Sequence, residues 1–208
     1  MKLFKLLSAS ALMLGAVAVS NAQEDASNSD SMSPSFGVKG GVNFATVTGD
    51  DFDSPDSRTS FHVGVFGEFP IAEIFSIQVE ALYSGQGFDA NFDGPDGDKA
   101  EVQLDYINVP VLAKFYIVKG LSIEAGPQFS FLVNDEFDFN PNSDNGDIDL
   151  ADNGVDTQTF EFGVAGGLTF QTEMGLFATA RYNQGITDVV KDVNVKNSVF
   201  QLGIGFKF

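Results

Sequence analysis

Eight segments of this 208-residue chain alternate apolar and polar residues with a period of two. They lie near residues 36–45, 60–69, 74–84, 105–117, 121–133, 159–170, 176–183 and 198–208. A period of two is typical of β-strands whose two faces meet different surroundings. The fold must therefore give each of these strands one apolar side and one polar side.

The two faces of these strands differ sharply in composition. In the last strand one face holds Phe200, Leu202, Ile204, Phe206 and Phe208, and the other holds Gln201, Gly203, Gly205 and Lys207. The other strands repeat this division, with Phe, Ile, Leu and Val on a face that carries no charge. Their opposite face carries Lys, Glu, Gln and Asn, interleaved with glycines.

The connections between the strands also alternate. Three of them are the tight segments PIAE, VKG and QTEMG. The other four are long: Thr46–Thr59, Gly85–Leu104, Asn134–Gln158 and Gln184–Asn197. Short turns at one end, long loops at the other and an even number of strands predict an all-β fold, an eight-stranded antiparallel up-and-down transmembrane β-barrel with short periplasmic turns and long acidic extracellular loops. Tilted strands of roughly 9–11 residues are long enough to cross the hydrocarbon core.

A soluble barrel of the lipocalin kind, with the apolar face inside, is the alternative. An eight-stranded barrel has an interior only just wide enough for side chains, and these apolar side chains are too bulky for it. The polar face also balances four acids with four bases, as buried charges require. We therefore predict a lumenal charge network of Lys39, Glu68, Glu80, Lys114, Glu124, Glu161, Arg181 and Lys207. The last strand is expected to close against the first, because an open edge is not tolerated in hydrocarbon.

The amino terminus has the pattern of an export signal. Residues 1–22 contain Lys2 and Lys5, an apolar run and a small-residue cleavage site, which predict a cleaved signal peptide. A membrane-spanning helix would need roughly 20 apolar residues, and this run is shorter. Residues 23–35 are predicted to form a disordered acidic leader, and residues 36–208 the barrel. The chain contains no cysteine, and its net charge of −18 argues against nucleic acid as a partner.

Three segments resemble a known family: GVKGGVNFA (37–45), YINVPVLAKFY (106–116) and GLSIEAGPQFSFL (120–132). They are similar to the porin-family outer-membrane β-barrel domain, a small barrel of the OmpA and OmpX type. The resemblance implies the outer membrane of a Gram-negative bacterium, with its lipid as surroundings, and brings no catalytic residue. It also implies that Phe208 is an assembly signal read by the barrel assembly machinery. Since Trp is absent, the candidates for the interfacial aromatic girdles are the phenylalanines together with Tyr83, Tyr106, Tyr116 and Tyr182.

Catalytic signals are weak in this sequence. His62 is the single histidine and falls on the polar face of the second strand. A Ser-His-acid mechanism needs a base beside a nucleophile, so we interpret His62 as a hydrogen-bonded lumenal residue and predict no enzyme activity.

The four long loops are rich in carboxylates. They contain 19 Asp and Glu residues against Arg58, Lys99, Lys191 and Lys196. Asp89, Asn91 and Asp93 match the start of an EF-hand loop, although Ala100 stands where the bidentate acid belongs. Ca²⁺ is therefore the one candidate cofactor, and a hydrated acidic surface without bound metal is the alternative.

Three functions remain open from the sequence. The first is a structural or surface-interaction barrel, with its lumen plugged by paired charges and an unknown extracellular partner at its acidic loops. The second is a narrow porin-like conduit for ions or small polar solutes. The third is the soluble ligand-binding barrel.

Overall fold

The computed structural model describes residues 33–49, 56–91, 99–138, 147–149, 158–189 and 194–208. These residues form nine strands: β1 (Ser35–Thr48), β2 (Asp56–Ala72), β3 (Phe75–Asn91), β4 (Lys99–Val118), β5 (Leu121–Asp138), β6 (Asp147–Asp149), β7 (Phe160–Gln171), β8 (Leu176–Gly185) and β9 (Lys196–Lys207). Within those ranges no helix is long and apolar enough to span a membrane. The predicted signal peptide and nearly all of the predicted leader lie outside the described residues.

Eight of the strands form a closed antiparallel barrel. Each of these strands pairs with the next along the chain, β5 pairs with β7, and β9 returns to pair with β1. At this seam Val42 lies opposite Leu202. The predicted barrel and its closure between the first and last strands are both confirmed. The remaining strand, β6, has three residues and pairs with β5 at the long-loop end, outside the closed barrel.

The strands β2 to β5 are longer than the alternation predicts. They contain 17, 17, 20 and 18 residues, and β3 and β4 remain paired as far as Asn91 and Lys99. Parts of the predicted long loops are therefore strand. Backbone pairing needs no apolar face, so a ladder can continue beyond the point where the hydrophobic alternation stops. The long-loop end of the barrel is consequently uneven, and β3, β4 and β5 extend beyond their neighbours.

The opposite end of the barrel has tight turns, as predicted. The turns occupy Glu73–Ile74, Lys119–Gly120 and the segment from Thr172 to Gly175. Gly120 has φ +84° and Gly175 has φ +87°, a conformation that other residues adopt at a cost. We call this end of the barrel the short-turn end.

The apolar face of the strands forms the outer surface. Val65 is 55% exposed and Ile204 is 72% exposed, whereas Lys39 and Glu80 on the polar face are 4% and 1% exposed. This distribution is the reverse of that in a soluble barrel, which buries its apolar side chains. The lipocalin-like alternative is therefore wrong.

Two of the four predicted girdle tyrosines are not on the outer surface. Tyr182 is exposed, and Tyr83 packs against the outward ring of Phe61 with centroids 5.7 Å apart. Tyr106 is fully buried, and the Tyr116 hydroxyl donates to the lumenal carboxylate of Glu68. Both residues have the same parity along β4 as the inward Lys114, so their side chains turn into the barrel. The girdle assignment of Tyr106 and Tyr116 is therefore wrong.

Candidate functional site: the barrel interior

The centre of the interior is a buried cluster of four charges, which we call the central ion cluster. Arg181 on β8 donates from Nη1 and Nη2 to the two oxygens of Glu80 on β3, at 2.7 and 2.8 Å. Its Nε and Nη2 also donate to Glu124 Oε1 on β5, at 2.9 and 2.5 Å. Lys39 Nζ on β1 lies 3.4 Å from Glu80. Two bases thus balance two acids across the width of the barrel.

A second ionic group lies toward the short-turn end, around Glu68 of β2. Lys114 Nζ and Lys207 Nζ both approach Glu68 Oε2, at 3.2 and 3.3 Å. Glu68 Oε1 accepts from Ser76 Oγ at 2.9 Å and from the Tyr116 hydroxyl. Lys114 also donates to Gln78 Oε1 at 3.0 Å. The carboxylate is therefore fully surrounded by donors, as a buried charge must be.

The same half of the interior holds two phenylalanines that the sequence analysis did not place there. Phe66 and Phe177 are buried and pack edge to face with ring centroids 5.4 Å apart. A Cβ at Gly37 would lie 2.4 Å from the Phe66 ring, and one at Gly205 would lie 2.2 Å from the Phe177 ring. The glycines of the inward face therefore make room for aromatic rings as well as for charged side chains. The pairing of Gly37 with Phe66 and of Gly205 with Phe177 was the signal that could have placed both rings in the lumen.

His62 belongs to a group of hydrogen-bonded amides above the central ion cluster. Its Nδ1 is 2.7 Å from Asn43 Oδ1, which also accepts from Gln201 Nε2 at 2.9 Å. Asn43 Nδ2 donates to Ser84 Oγ at 3.0 Å. The Ser84 hydroxyl therefore bonds to the amide of Asn43, and the imidazole of His62 bonds to the same amide. The contacts give His62 a structural position in the lumen.

Glu161, the remaining predicted member of the charge network, lies apart from the other seven. It is at the long-loop end of β7 and is 4% exposed. Its Oε2 accepts from Asn197 Nδ2 at 2.8 Å, and the Tyr106 hydroxyl lies beside it. Among the residues that the structure describes, no Lys or Arg forms an ion pair with Glu161.

An apolar cluster fills the long-loop end of the interior. It consists of Val102, Leu104 and Tyr106 of β4 and Val189 of the β8–β9 connection, with Phe88 and Leu132 packed against it. Val189 is held there by its backbone, which donates to Val195 O and accepts from Gln158 N, each at 2.8 Å. We expected this connection to be an outer loop, because its apolar residues do not alternate regularly with polar ones as those of the strands do.

The predicted calcium ligands are only partly within the described residues. Asp89 and Asn91 lie in β3, paired with Glu101 and Lys99 of β4, so this stretch is strand and not the ligand loop of an EF-hand. Asp93 lies outside the described residues. Backbone pairing also aligns acidic positions across five strands: Asp56, Asp89, Glu101, Asp138 and Asp147. No cluster of three or more His, Cys, Asp or Glu that could hold a metal occurs in the described ranges.

Phe208 follows β9 directly at the seam of the barrel. Its N–H donates to Phe36 O at 2.9 Å, and its carbonyl accepts from Phe36 N at 3.4 Å. The ring is 70% exposed on the outer surface and lies 6.5 Å from the Phe206 ring. The predicted assembly signal is therefore an accessible aromatic at the short-turn end.

The fold has counterparts among known proteins. The family model described as "Outer membrane protein beta-barrel domain" matches residues 21–191 of the chain. No curated protein sequence matches this chain. Neisserial surface protein A (NspA) is similar in structure with a TM-score of 0.55 and 16% identity, over 85% of this chain and 99% of NspA.

The attachment invasion locus protein Ail of Yersinia pestis is also similar in structure. Its TM-score is 0.50 at 15% identity, over 85% of this chain and 100% of Ail. A second structure of Ail, at 14% identity and TM-score 0.50, covers the same shares of the two chains and contains the heparin analogue sucrose octasulfate. At such identities these likenesses concern the fold alone, and they agree with the closed eight-stranded barrel described above.

Proposed function

Because the chain belongs to the outer membrane protein β-barrel domain family and is an outer-membrane protein of a Gram-negative bacterium, we propose that its barrel is closed to solutes and that it acts through its acidic loops at the cell surface. In this proposal the short turns face the periplasm, the long loops face outward, and residues 1–22 are removed after export. The protein has no catalytic role of its own in this proposal. Its function is structural or depends on an extracellular partner.

The observation that carries this proposal is the filling of the lumen at successive levels. The aromatic pair Phe66 and Phe177 and the ion pairs of Glu68 occupy the short-turn half. The central ion cluster spans the middle, with Arg181 only 1% exposed. The apolar cluster around Val189 occupies the long-loop end. Eight strands leave little more than side-chain space, so a solute would have to displace all three groups.

Single-channel conductance in planar bilayers tests the closed barrel. Purified full-length protein is expected to give no steady openings, and the same result is expected for the control Lys119→Ala, which alters an exposed turn residue. Arg181→Ala opens space in the centre and is expected to produce flickering current. Steady openings of the unaltered protein that respond to Lys114→Ala or Glu124→Ala would establish the narrow conduit instead.

The charge of the loops indicates the chemistry of a partner. The 19 loop carboxylates create a negative surface that attracts basic ligands and repels polyanions. The protein reconstituted in nanodiscs is expected to bind immobilised polylysine in a salt-sensitive manner and not to bind heparin. Replacement of Asp135 and Asp138 by Asn should weaken this binding, whereas Glu173→Gln in a short turn should not. Binding to heparin with an affinity equal to that for polylysine would contradict the proposal.

Calcium at the loops is the second part of this proposal. Carboxylate oxygens are the ligands that Ca²⁺ prefers, and Asp89 begins a segment of the chain that is rich in them. Millimolar Ca²⁺ is expected to raise the thermal midpoint of unfolding, and Asp89→Asn should reduce the rise. An unchanged midpoint in the presence of Ca²⁺ would leave only the hydrated acidic surface.

A further inference from the structure

Of the four acids in the predicted charge network, Glu161 is the one that forms no ion pair among the residues that the structure describes. Arg181 and Lys39 contact Glu80 and Glu124, and Lys114 and Lys207 contact Glu68. Lys207 lies nearest the rim, where its side chain is 19% exposed and therefore partly hydrated. Glu161 at the other end is 4% exposed and receives only neutral donors from the described part of the chain. A buried carboxylate without a counter-charge is strongly disfavoured.

Unpaired amide oxygens lie in the same part of the lumen. Asn108 is 1% exposed, and neither atom of its amide has a hydrogen-bond partner within the described residues. Either orientation of this amide therefore leaves an oxygen unpaired. Asn197 Nδ2 donates both to Glu161 Oε2 at 2.8 Å and to Tyr106 Oη at 3.2 Å. These two bonds fix the orientation of the amide and leave Asn197 Oδ1 without a partner in the described chain.

Strand register brings these groups together. Asn108 on β4 lies opposite Ser130 on β5, and Ser130 lies opposite Glu161 on β7. Paired residues share a face of the sheet, and all three of these side chains are buried in the lumen. Asn197 reaches the same point from β9 through its bond to Glu161. Asn108, Ser130 and Glu161 thus occupy successive inward positions of three paired strands, and Asn197 of β9 bonds to the carboxylate at the end of this row.

We propose that this group, which we call the Glu161 site, binds a monovalent metal cation, Na⁺ or K⁺. Hard cations are coordinated by carboxylate, amide and hydroxyl oxygens, which are the groups present here. A single carboxylate balances one positive charge, whereas sites for Ca²⁺ combine several carboxylates. The cation supplies the missing counter-charge and gives the unpaired oxygens of Asn108 and Asn197 a partner. The site lies inside the barrel and is separate from the loop carboxylates considered above.

Thermal unfolding at constant ionic strength tests the proposal. Full-length protein in nanodiscs is followed by circular dichroism while choline chloride is replaced by NaCl or KCl. One of the two salts is expected to raise the unfolding midpoint by about 3–6 °C at ten times its dissociation constant. Glu161→Gln removes the buried charge and should abolish the rise. The matched control Glu173→Gln changes an exposed turn glutamate and should retain it.

A second variant changes the preferred ion. Asn108→Asp adds a second carboxylate to the Glu161 site and is expected to shift the stabilising ion from a monovalent cation to Ca²⁺. Crystals soaked in rubidium or thallium(I) should give an anomalous peak beside Glu161 in the unaltered protein and none in Glu161→Gln.

Three results would overturn the inference. The first is an unfolding midpoint that is the same in sodium, potassium and choline chloride. The second is a cation-dependent rise that persists in Glu161→Gln, because the ion would then bind elsewhere. The third is a stabilisation that appears only on acidification and disappears in Glu161→Gln, because a proton would then neutralise the carboxylate.

Discussion

Removal of Arg181 is the most direct test of how the barrel interior is stabilised. Its guanidinium makes four hydrogen bonds of 2.5–2.9 Å to Glu80 and Glu124, and its side chain is 1% exposed. In Arg181→Met the two carboxylates keep only Lys39, so one negative charge is left unpaired in the lumen. Breaking a buried pair in this way costs about 3–5 kcal/mol. That cost corresponds to a loss of roughly two to three and a half orders of magnitude in the folding equilibrium.

Urea unfolding in lipid vesicles, followed by heat-dependent gel mobility, measures this cost. The double variant Glu80→Gln with Arg181→Met restores one acid against one base and should regain a large part of the lost free energy. Lys119→Met is the matched control. Its partner Glu173 lies 2.5 Å away, but both side chains are at least 80% exposed, so no measurable change is expected. The reasoning fails if Arg181→Met unfolds like the unaltered protein, or if the double variant is no more stable than the single one.

Three further predictions concern the wall of the barrel. Leu202→Arg, on the outward face of β9, should lower the free energy of unfolding by about 2–4 kcal/mol near the bilayer midplane, while Met174→Arg in a short turn leaves the urea midpoint unchanged. Gly41→Ala should prevent formation of the compact, heat-modifiable band, because its Cβ would lie 2.0 Å from a backbone oxygen of Leu202; Gly166→Ala, whose nearest contact is at 3.8 Å, should fold normally. Phe208→Ala should reduce the amount of protein in the outer-membrane fraction of cells without changing refolding in vitro, and equal amounts of both proteins in that fraction would contradict the assembly role.

The sequence was sufficient to predict the barrel and the direction of nearly every strand side chain. Alternation is a local property, so the outward position of Leu202 and the inward position of Lys39 follow from parity alone. The same reasoning should have turned Tyr106 inward with Lys114, and the girdle assignment failed because it weighed residue type over parity.

The contacts inside the lumen could not be predicted from the sequence. Glu80 and Arg181 are 101 residues apart and meet only because of the stagger of strands around the closed barrel. Parity places Glu161 in the lumen but does not give its height along the axis, so it was grouped with bases that lie too far away. The inward turn of Val189 depends on the backbone of a connection that has no periodic pattern.

The seam between β1 and β9 restricts how the protein can be made. The side chains of Asn43 and Gln201 bond inside the lumen across this seam and are 158 residues apart in the chain. Closure therefore brings together the first and last strands of the barrel. A chain interrupted before β9 would have two unpaired strand edges, each carrying backbone groups that hydrocarbon cannot satisfy. Stable insertion of the barrel in hydrocarbon therefore has to wait until the final strand is present to pair with the first.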